Sequence, residues 1–328
     1  MFMSNYAELV FDDCIEAFKF LKDNSIDAVI TDPPYFLDQL KNDWNADMRK
    51  EITKGSQVTS LPAGMKFDPK QGIEFQKFMS TISEEAFRVL KPGGFFLSFS
   101  APRLVHRLGV AVEDEGFNIR DLWGWIYTQN QVKAMSVNHF LKKRDDISKK
   151  EKKILHDQFL IWKTPQIKSC IEPIICAQKP PEGTFLDNWR KHKVGLINTN
   201  AKLGVNNDMF PANIMTSESI NSELDKVFLV PKPNKAEKGS ANKHTTVKPI
   251  SLMAHLINLT TPEDSLILDP FNGSGTTGLG ALLVKRNYLG FEVNKEYFEL
   301  TKKRFTETIP EFSWQEESGR ISKGKTTS

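Results

Sequence analysis

Short apolar runs alternate with stretches of helical spacing at both ends of this chain. YAELVFDDC (6–14) predicts a strand ending in acids, and CIEAFKFLKD (14–23) a helix after it. DAVITD (27–32) predicts a second strand. EFQKFMSTISEEAFRVL (74–90) has helical spacing and stops at Lys91-Pro92-Gly93-Gly94, a turn signal. FFLSFS then reads as a fully apolar strand, RLVHRLGVAVEDEGF as a helix, and LWGWIYT and CIEPIICAQK as two more strands. From about Pro181 to Asn242 the pattern gives way to a polar region rich in Asn, Lys and Pro. Order returns with SLMAHLINLT as a helix, SLILD as a strand, TTGLGALLVK as a helix and NYLGFE as a strand. Strands alternating with helices of this length predict an α/β fold, a mostly parallel, doubly wound sheet with helices on both faces. The last stretch, EESGRISKGKTTS, is small, polar and basic, and predicts a frayed tail.

Composition narrows this picture only a little. With 328 residues, 39% hydrophobic and 26% charged, the chain can bury a sizeable core as one large domain carrying an insertion. No apolar run approaches membrane-spanning length, and the acidic N-terminal stretch is not a signal peptide, so a soluble, cytoplasmic protein is expected. Cys14, Cys170 and Cys176 are few, odd in number and without CxxC spacing, which argues for a reducing compartment and against a structural zinc site. The net charge of +3 is mild, but its placement is uneven. Lys142, Lys143, Arg144, Lys149, Lys150, Lys152 and Lys153 cluster in one stretch. Arg190, Lys191 and Lys193 form a second basic region, and Lys226, Lys232, Lys235, Lys238 and Lys243 a third. Such runs suit either a solvated face or a polyanionic partner.

Two stretches carry the candidate chemistry. In ITDPPYFL (30–37) a buried strand runs into Asp32, Pro33, Pro34 and Tyr35. The prolines lack N–H groups and fix φ, so this is either a strand-ending turn or a stiff pair of acceptors beside an aromatic ring. In LILDPFNGSGTTG (266–278) an apolar strand meets Asp269, then a glycine-rich turn, then a helix. Gly273 and Gly275 would let the backbone approach a ligand closely. A phosphate-binding loop is excluded, because Leu279 stands where its lysine would be. The dinucleotide spacing also fits poorly. Glu292, 23 positions after Asp269, closes the next strand, where an acid suits ribose hydroxyls.

Together, DPPY and DPFNGSGTTG resemble the bacterial DNA amino-methyltransferases. Asp32 of the catalytic tetrapeptide precedes Asp269 of the cofactor segment by 237 residues (269 − 32), an order that resembles the β-class of that family. FDDC resembles the family's N-terminal turn, with Asp12 where glycine is usual. RVLKPGGFF, HTTVKP and LGFEVNKEYFELTKKRF match further segments, with Thr245 and Thr246 departing from the usual residues. The resemblance implies a circularly permuted, seven-stranded Rossmann-like methyltransferase sheet. It divides the chain into a catalytic half (1–180), a target-recognition region (181–242), a cofactor-binding half (243–310) and a flexible tail (311–328).

The resemblance also implies roles. Asp32 and the Pro33 carbonyl would accept the two hydrogens of an exocyclic amine, with Pro34 stiffening the turn and Tyr35 stacking on a base flipped out of the duplex. S-adenosyl-L-methionine would be the cofactor. Asp269, Pro270, Phe271, Gly273, Ser274, Gly275 and Thr276 would surround its methionine end, and Thr277 would cap the helix. Glu292 would hold the ribose, Asp13 the adenine amine and Lys248 the carboxylate. No metal is implied. Lys41 to Asn45 would form a loop over the base, in which Trp44 either packs or touches it. Double-stranded DNA would be the partner, with a cognate restriction endonuclease and a homodimer also expected. Asp before Pro-Pro goes mostly with adenine, so N6-adenine methylation is expected. N4-cytosine methylation, a silent nucleic-acid-binding module and protein glutamine methylation are the alternatives.

Overall fold

Strand β2 (Ile26–Thr31) is buried along its whole length and sits near the middle of the sheet. The computed structural model describes residues 5–35, 69–127, 134–165, 167, 169–201, 210–216, 247–318 and 321–326. The other strands are β1 (Tyr6–Phe11), β3 (Leu90–Phe99), β4 (Asn118–Ile126), β5 (Ile171–Gln178), β6 (Ile214–Thr216), β7 (Leu266–Asp269), β8 (Asn287–Glu292), β9 (Phe312–Ser318) and β10 (Ile321–Thr326). They form one ten-stranded sheet in the order β6-β4-β5-β3-β2-β7-β8-β1-β10-β9. The five strands from β3 to β1 are mutually parallel. β5 and the β9–β10 hairpin are antiparallel to their neighbours.

Helices cover both faces. On one lie α1 (Cys14–Phe18), α2 (Pro69–Val89) and α3 (Val105–Asp114), which pack Phe18, Phe75, Met79, Ile82 and Leu108 against Val29, Phe96 and Leu268 of the sheet. The excursion between β4 and β5 holds α4 (Val137–Leu141) and α5 (Lys149–Gln158), and α6 (Phe185–His192) follows β5. On the other face α7 (Ile250–Thr260), α8 (Thr276–Leu283) and α9 (Lys295–Thr308) pack Leu252, Met253, Leu256, Leu279, Leu282 and Phe305 against Ile30, Leu97 and Ile267. From β2 the chain crosses through α2 to β3 on one side. From β7 it crosses through α8 to β8 on the other. The winding therefore reverses between β2 and β7, and a ligand crevice belongs outside the carboxyl ends of these two strands.

The expected α/β architecture is present, with three departures. The sheet has ten strands instead of seven. Two of the additional strands, β9 and β10, come from the stretch expected to fray. Phe312 and Trp314 pack with Phe305 at centroid distances of 5.3 and 5.6 Å, and β10 pairs with β1, so a polar sequence is held by two aromatic anchors and an open strand edge. The polar region beyond Pro181 also begins inside the domain. Thr184 and Asp187 form a capping box for α6. Buried Asn188 donates to the Pro92 and Val194 carbonyls at 3.0 Å and accepts from the Glu182 N–H at 2.8 Å. Of the expected target-recognition region, residues 202–209 and 217–242 lie outside the described residues. So do Phe36, Lys41 to Asn45, Thr245, Thr246 and the third basic cluster.

Candidate active site

Four acids stand at the carboxyl ends of four adjacent parallel strands: Asp32 after β2, Asp269 on β7, Glu292 on β8 and Asp13 just past β1. Asp269 clasps the two halves of the site together. Its carboxylate accepts from Thr31 Oγ1 at 2.7 Å, Thr277 Oγ1 at 2.6 Å and the Phe271 N–H at 3.0 Å. A carboxylate offers about four acceptor positions, so little of Asp269 is left for a ligand. Burial pushes its pKa up to about 6 against the pull of these hydrogen bonds. Thr277 thus bonds Asp269 and does not cap α8, whose N-cap is Gly275 with no side-chain cap bond.

The glycine turn is shaped mainly by packing. Gly275 has φ +76°, and a Cβ there would stand 2.5 Å from Thr301 Cγ2 and 2.9 Å from Phe305 Cε2, both on α9. Its lack of a side chain makes room for α9 and permits a left-handed backbone. Asn272 rivets the turn, accepting from Tyr288 Oη at 2.8 Å and donating to Thr301 Oγ1 at 2.9 Å. Buried Arg304 donates to the Ser274 carbonyl and, at 3.0 and 3.2 Å, to Ser274 Oγ and Thr276 Oγ1. Neither Asn272 nor Arg304 was singled out in the sequence, since their partners lie on distant elements.

Glu292 accepts from the Gly273 N–H at 2.7 Å and the Asn294 N–H at 2.8 Å. Burial raises its pKa to about 7 despite those donors. Asp13 is the N-cap of α1, accepting from the Ile15 N–H at 2.9 Å. β1 and β8 pair Phe11 with Glu292, which puts both acids on the same edge. Phe271 lies beside them with its ring 5.7 Å from that of Phe78, and Pro270 precedes it in the turn.

At the other end of the crevice Asp32 is held from two sides. Tyr35 Oη donates to its Oδ1 at 2.6 Å, and Lys248 Nζ donates to its Oδ2. Pro33 is buried and Pro34 half-buried. Lys248, expected to face a cofactor carboxylate, is buried. It pairs with Asp32 and with Glu172 Oε2 at 3.0 Å, and it lies 4.9 Å from the Phe99 ring centroid. Burial works against its charge, but Asp32 and Glu172 outweigh it and hold the ammonium above the ordinary lysine range. Glu172 reaches this edge because β5 runs antiparallel and begins there. Tyr127, just past β4, is raised to about 12 by burial and by Glu172.

These features meet on a known pattern. The family model for DNA methylases of the N6/N4 type matches residues 26–303. The chain belongs to that family. M.HindIII, a Type II methyltransferase of Haemophilus influenzae, is 31% identical over 308 residues, covering 89% of this chain and 93% of its own. M2.MboI of Moraxella bovis is 25% identical over 298 residues, covering 91% and 87%. Among solved structures, the M1.HpyAVI–SAM complex superposes with a TM-score of 0.52 at 19% identity, over 91% of this chain and 98% of its own. PvuII DNA methyltransferase, described as cytosine-N4-specific, gives a TM-score of 0.56 at 17% identity, over 92% and 87%. Both share the fold.

The methyl donor of this DNA methylase family is S-adenosyl-L-methionine, and the β8 end of the crevice fits such a molecule. Glu292 keeps about two acceptor positions after binding Gly273 and Asn294. Its burial makes hydroxyl donors welcome there.

Proposed function

We propose that the protein transfers a methyl group from S-adenosyl-L-methionine to the N6 amine of adenine in double-stranded DNA. The observation that carries this is the adjacency of Asp32 and the Asp269 turn across the switch point, made by the 2.7 Å bond between Thr31 and Asp269. When bound, S-adenosyl-L-methionine supplies an electrophilic methyl group. Glu292 and Asp13 orient its nucleoside end, and the backbone from Asp269 to Thr277, with Pro270, Phe271, Gly273, Ser274, Gly275 and Thr276, walls the remainder. Asp32 and the Pro33 carbonyl accept the two hydrogens of the target amine, whose lone pair is otherwise delocalised into the ring. Stiff prolines make these acceptors preorganised, which is what a developing cation needs in a water-poor pocket. The C–N bond forms as the C–S bond breaks, and Asp32 takes the surplus proton once the amine is positively charged. Tyr35, tethered to Asp32, supports the flipped base as a ring face.

Asp32 before Pro-Pro-Tyr favours adenine over N4-cytosine in the resembling family, and this supports the finer assignment. By likeness to relatives named Type II methyltransferases, the enzyme protects bacterial DNA from a cognate restriction endonuclease. A homodimer in the cytoplasm belongs to the same reading. The test is incubation with methyl-labelled donor and unmethylated duplex DNA, digestion to nucleosides and mass analysis. Label in N6-methyladenine is expected. Label in N4-methylcytosine overturns the adenine assignment, and label in neither overturns the enzymatic reading.

A further inference from the structure

We propose that Lys248 and Glu172 are positioning residues that act through Asp32. Lys248 anchors one oxygen of the Asp32 carboxylate, and Glu172 restrains Lys248, so that Asp32 keeps an open side for the target amine. This rests on the reading of Asp32 as an amine acceptor. It goes beyond that reading in assigning two residues, one of them on β5, to the acceptor's control.

The geometry carries the argument. Asp32 Oδ1 accepts from Tyr35 Oη at 2.6 Å and Oδ2 accepts from Lys248 Nζ. About two of the four acceptor positions of the carboxylate are left. Lys248 is 6% exposed, so its ammonium has no water to fall back on and must be satisfied by protein groups. Asp32 alone would draw the whole charge onto itself. Glu172 Oε2, 3.0 Å from Nζ, shares it. The Phe99 ring lies 4.9 Å from the same ammonium.

Charge balance points the same way. The charged and titratable groups around the Asp32–Lys248 pair are Glu172 at the start of β5, Tyr35 in the Asp32 turn, Tyr127 after β4 and Asp269 on β7. The pair of carboxylates and one ammonium nearest the pocket sum to −1. The amine that enters is neutral, and it leaves its reaction with a positive charge before losing a proton. A pocket of net −1 matches that product cation. Removing Lys248 deepens the negative charge and sets two carboxylates against each other, whereas removing Glu172 cancels it.

The experiment is the pH dependence of single-turnover methyl transfer with saturating donor and duplex DNA, for wild type, Lys248→Met, Glu172→Gln and the double variant. Lys248→Met leaves two like charges in one pocket, so one carboxyl retains a proton to higher pH. Its acid limb is expected to move up by about one pH unit or more. Glu172→Gln moves the limb down, and the double variant returns it towards the wild-type position. Lost packing or misfolding slows all three without opposite shifts. If the acid limb stays fixed in Lys248→Met, or moves the same way in both single variants, the proposal is overturned. The unfolding midpoint of the free protein gives a readout independent of activity. Lys248→Met is expected to lose stability relative to wild type as pH rises from 5 to 8, and Glu172→Gln added to it restores the midpoint at pH 8. If restoration fails, the pairing is not the cause and the proposal falls. An inactive wild type with this stability pattern intact refutes the assignment of Asp32 as an amine acceptor and leaves the charge pairing standing.

Discussion

Thr31 Oγ1 donates to Asp269 Oδ1 at 2.7 Å, joining residues 238 positions apart. Thr31 ends β2 and Asp269 ends β7, and the pairing of Ala28 with Ile267 and Val29 with Leu268 brings them abreast. Asp32, the next residue along, is thereby fixed beside the glycine turn. Thr31→Val keeps the shape and removes the donor. It is expected to destabilise the protein by about 1–3 kcal/mol, because a buried acceptor loses a partner. Urea unfolding measures the loss. A neutral result would mean that the β2–β7 ladder alone sets the relationship.

The two ends of the crevice should separate by mutation. Asp32→Ala is expected to abolish methyl transfer while leaving donor binding nearly intact. Glu292→Ala is expected to weaken donor binding by about 1–3 kcal/mol through lost charge-assisted hydrogen bonds. Calorimetry on both variants decides it, and equal loss of donor affinity would refute the division of roles.

Gly275 gives a third prediction. Gly275→Ala places a methyl 2.5 Å from Thr301 Cγ2 at φ +76° and should cost on the order of 1–3 kcal/mol in stability. Adding Thr301→Ser removes the clashing methyl, so part of the loss should return in a double-mutant cycle. Strict additivity of the two changes would argue against packing as the reason for glycine.

Much of the site was legible because it is local in sequence. DPPY, the Asp269 turn and Glu292 each announce themselves within a few residues of a strand end. What escaped was long-range. Glu172 reaches Lys248, and Tyr127 approaches Glu172, only because β5 and β4 fold back to the same edge. Lys248 sits in an ordinary-looking VKP segment, and only its tertiary partners distinguish it from a surface lysine. Gly275 stood out by its place in a glycine turn, but its close contact with α9 is long-range and invisible in the spacing. The β9–β10 hairpin was missed because its residues are mostly polar, and the aromatic contacts of Phe312 and Trp314 and the pairing of β10 with β1 are long-range.

Glu292 and Asp269 make stability depend on pH. Both have folded-state pKa values raised by burial, to about 7 and about 6. A raised acid favours the folded state fully below its unfolded pKa, and that contribution fades as pH rises through the folded value. Stability is therefore expected to fall between about pH 4 and pH 7 on account of these two groups. Chemical denaturation at pH 5 and pH 8 should show a flatter change in Glu292→Ala than in wild type. A parallel change in both proteins would remove Glu292 as a cause.

The basic excursion between β4 and β5 bears on DNA. Its bases leave and enter the sheet at Tyr127 and Ile171, the edge that carries Asp32, and Ser136 pairs with Lys163 to close its stem. Lys149, Lys150 and Lys153 are exposed on α5. If they meet phosphates, Lys149→Gln and Lys153→Gln should each reduce the log–log salt slope of DNA affinity by about 1. A slope unchanged by both would leave them as solvated surface.

The placing of β1 has a consequence for how the molecule is built. This strand, residues 6–11, lies between β8 and β10, which are made of residues 287–292 and 321–326. The strand therefore waits for partners that lie more than 270 residues further along the chain (287 − 11 = 276). Its apolar residues Ala7 and Leu9, fully buried once paired, stay uncovered until then. Such distant pairing is slow and exposes strand edges meanwhile. Asp13, carried on the end of β1, then joins Glu292 at this edge only when β1 has paired with β8.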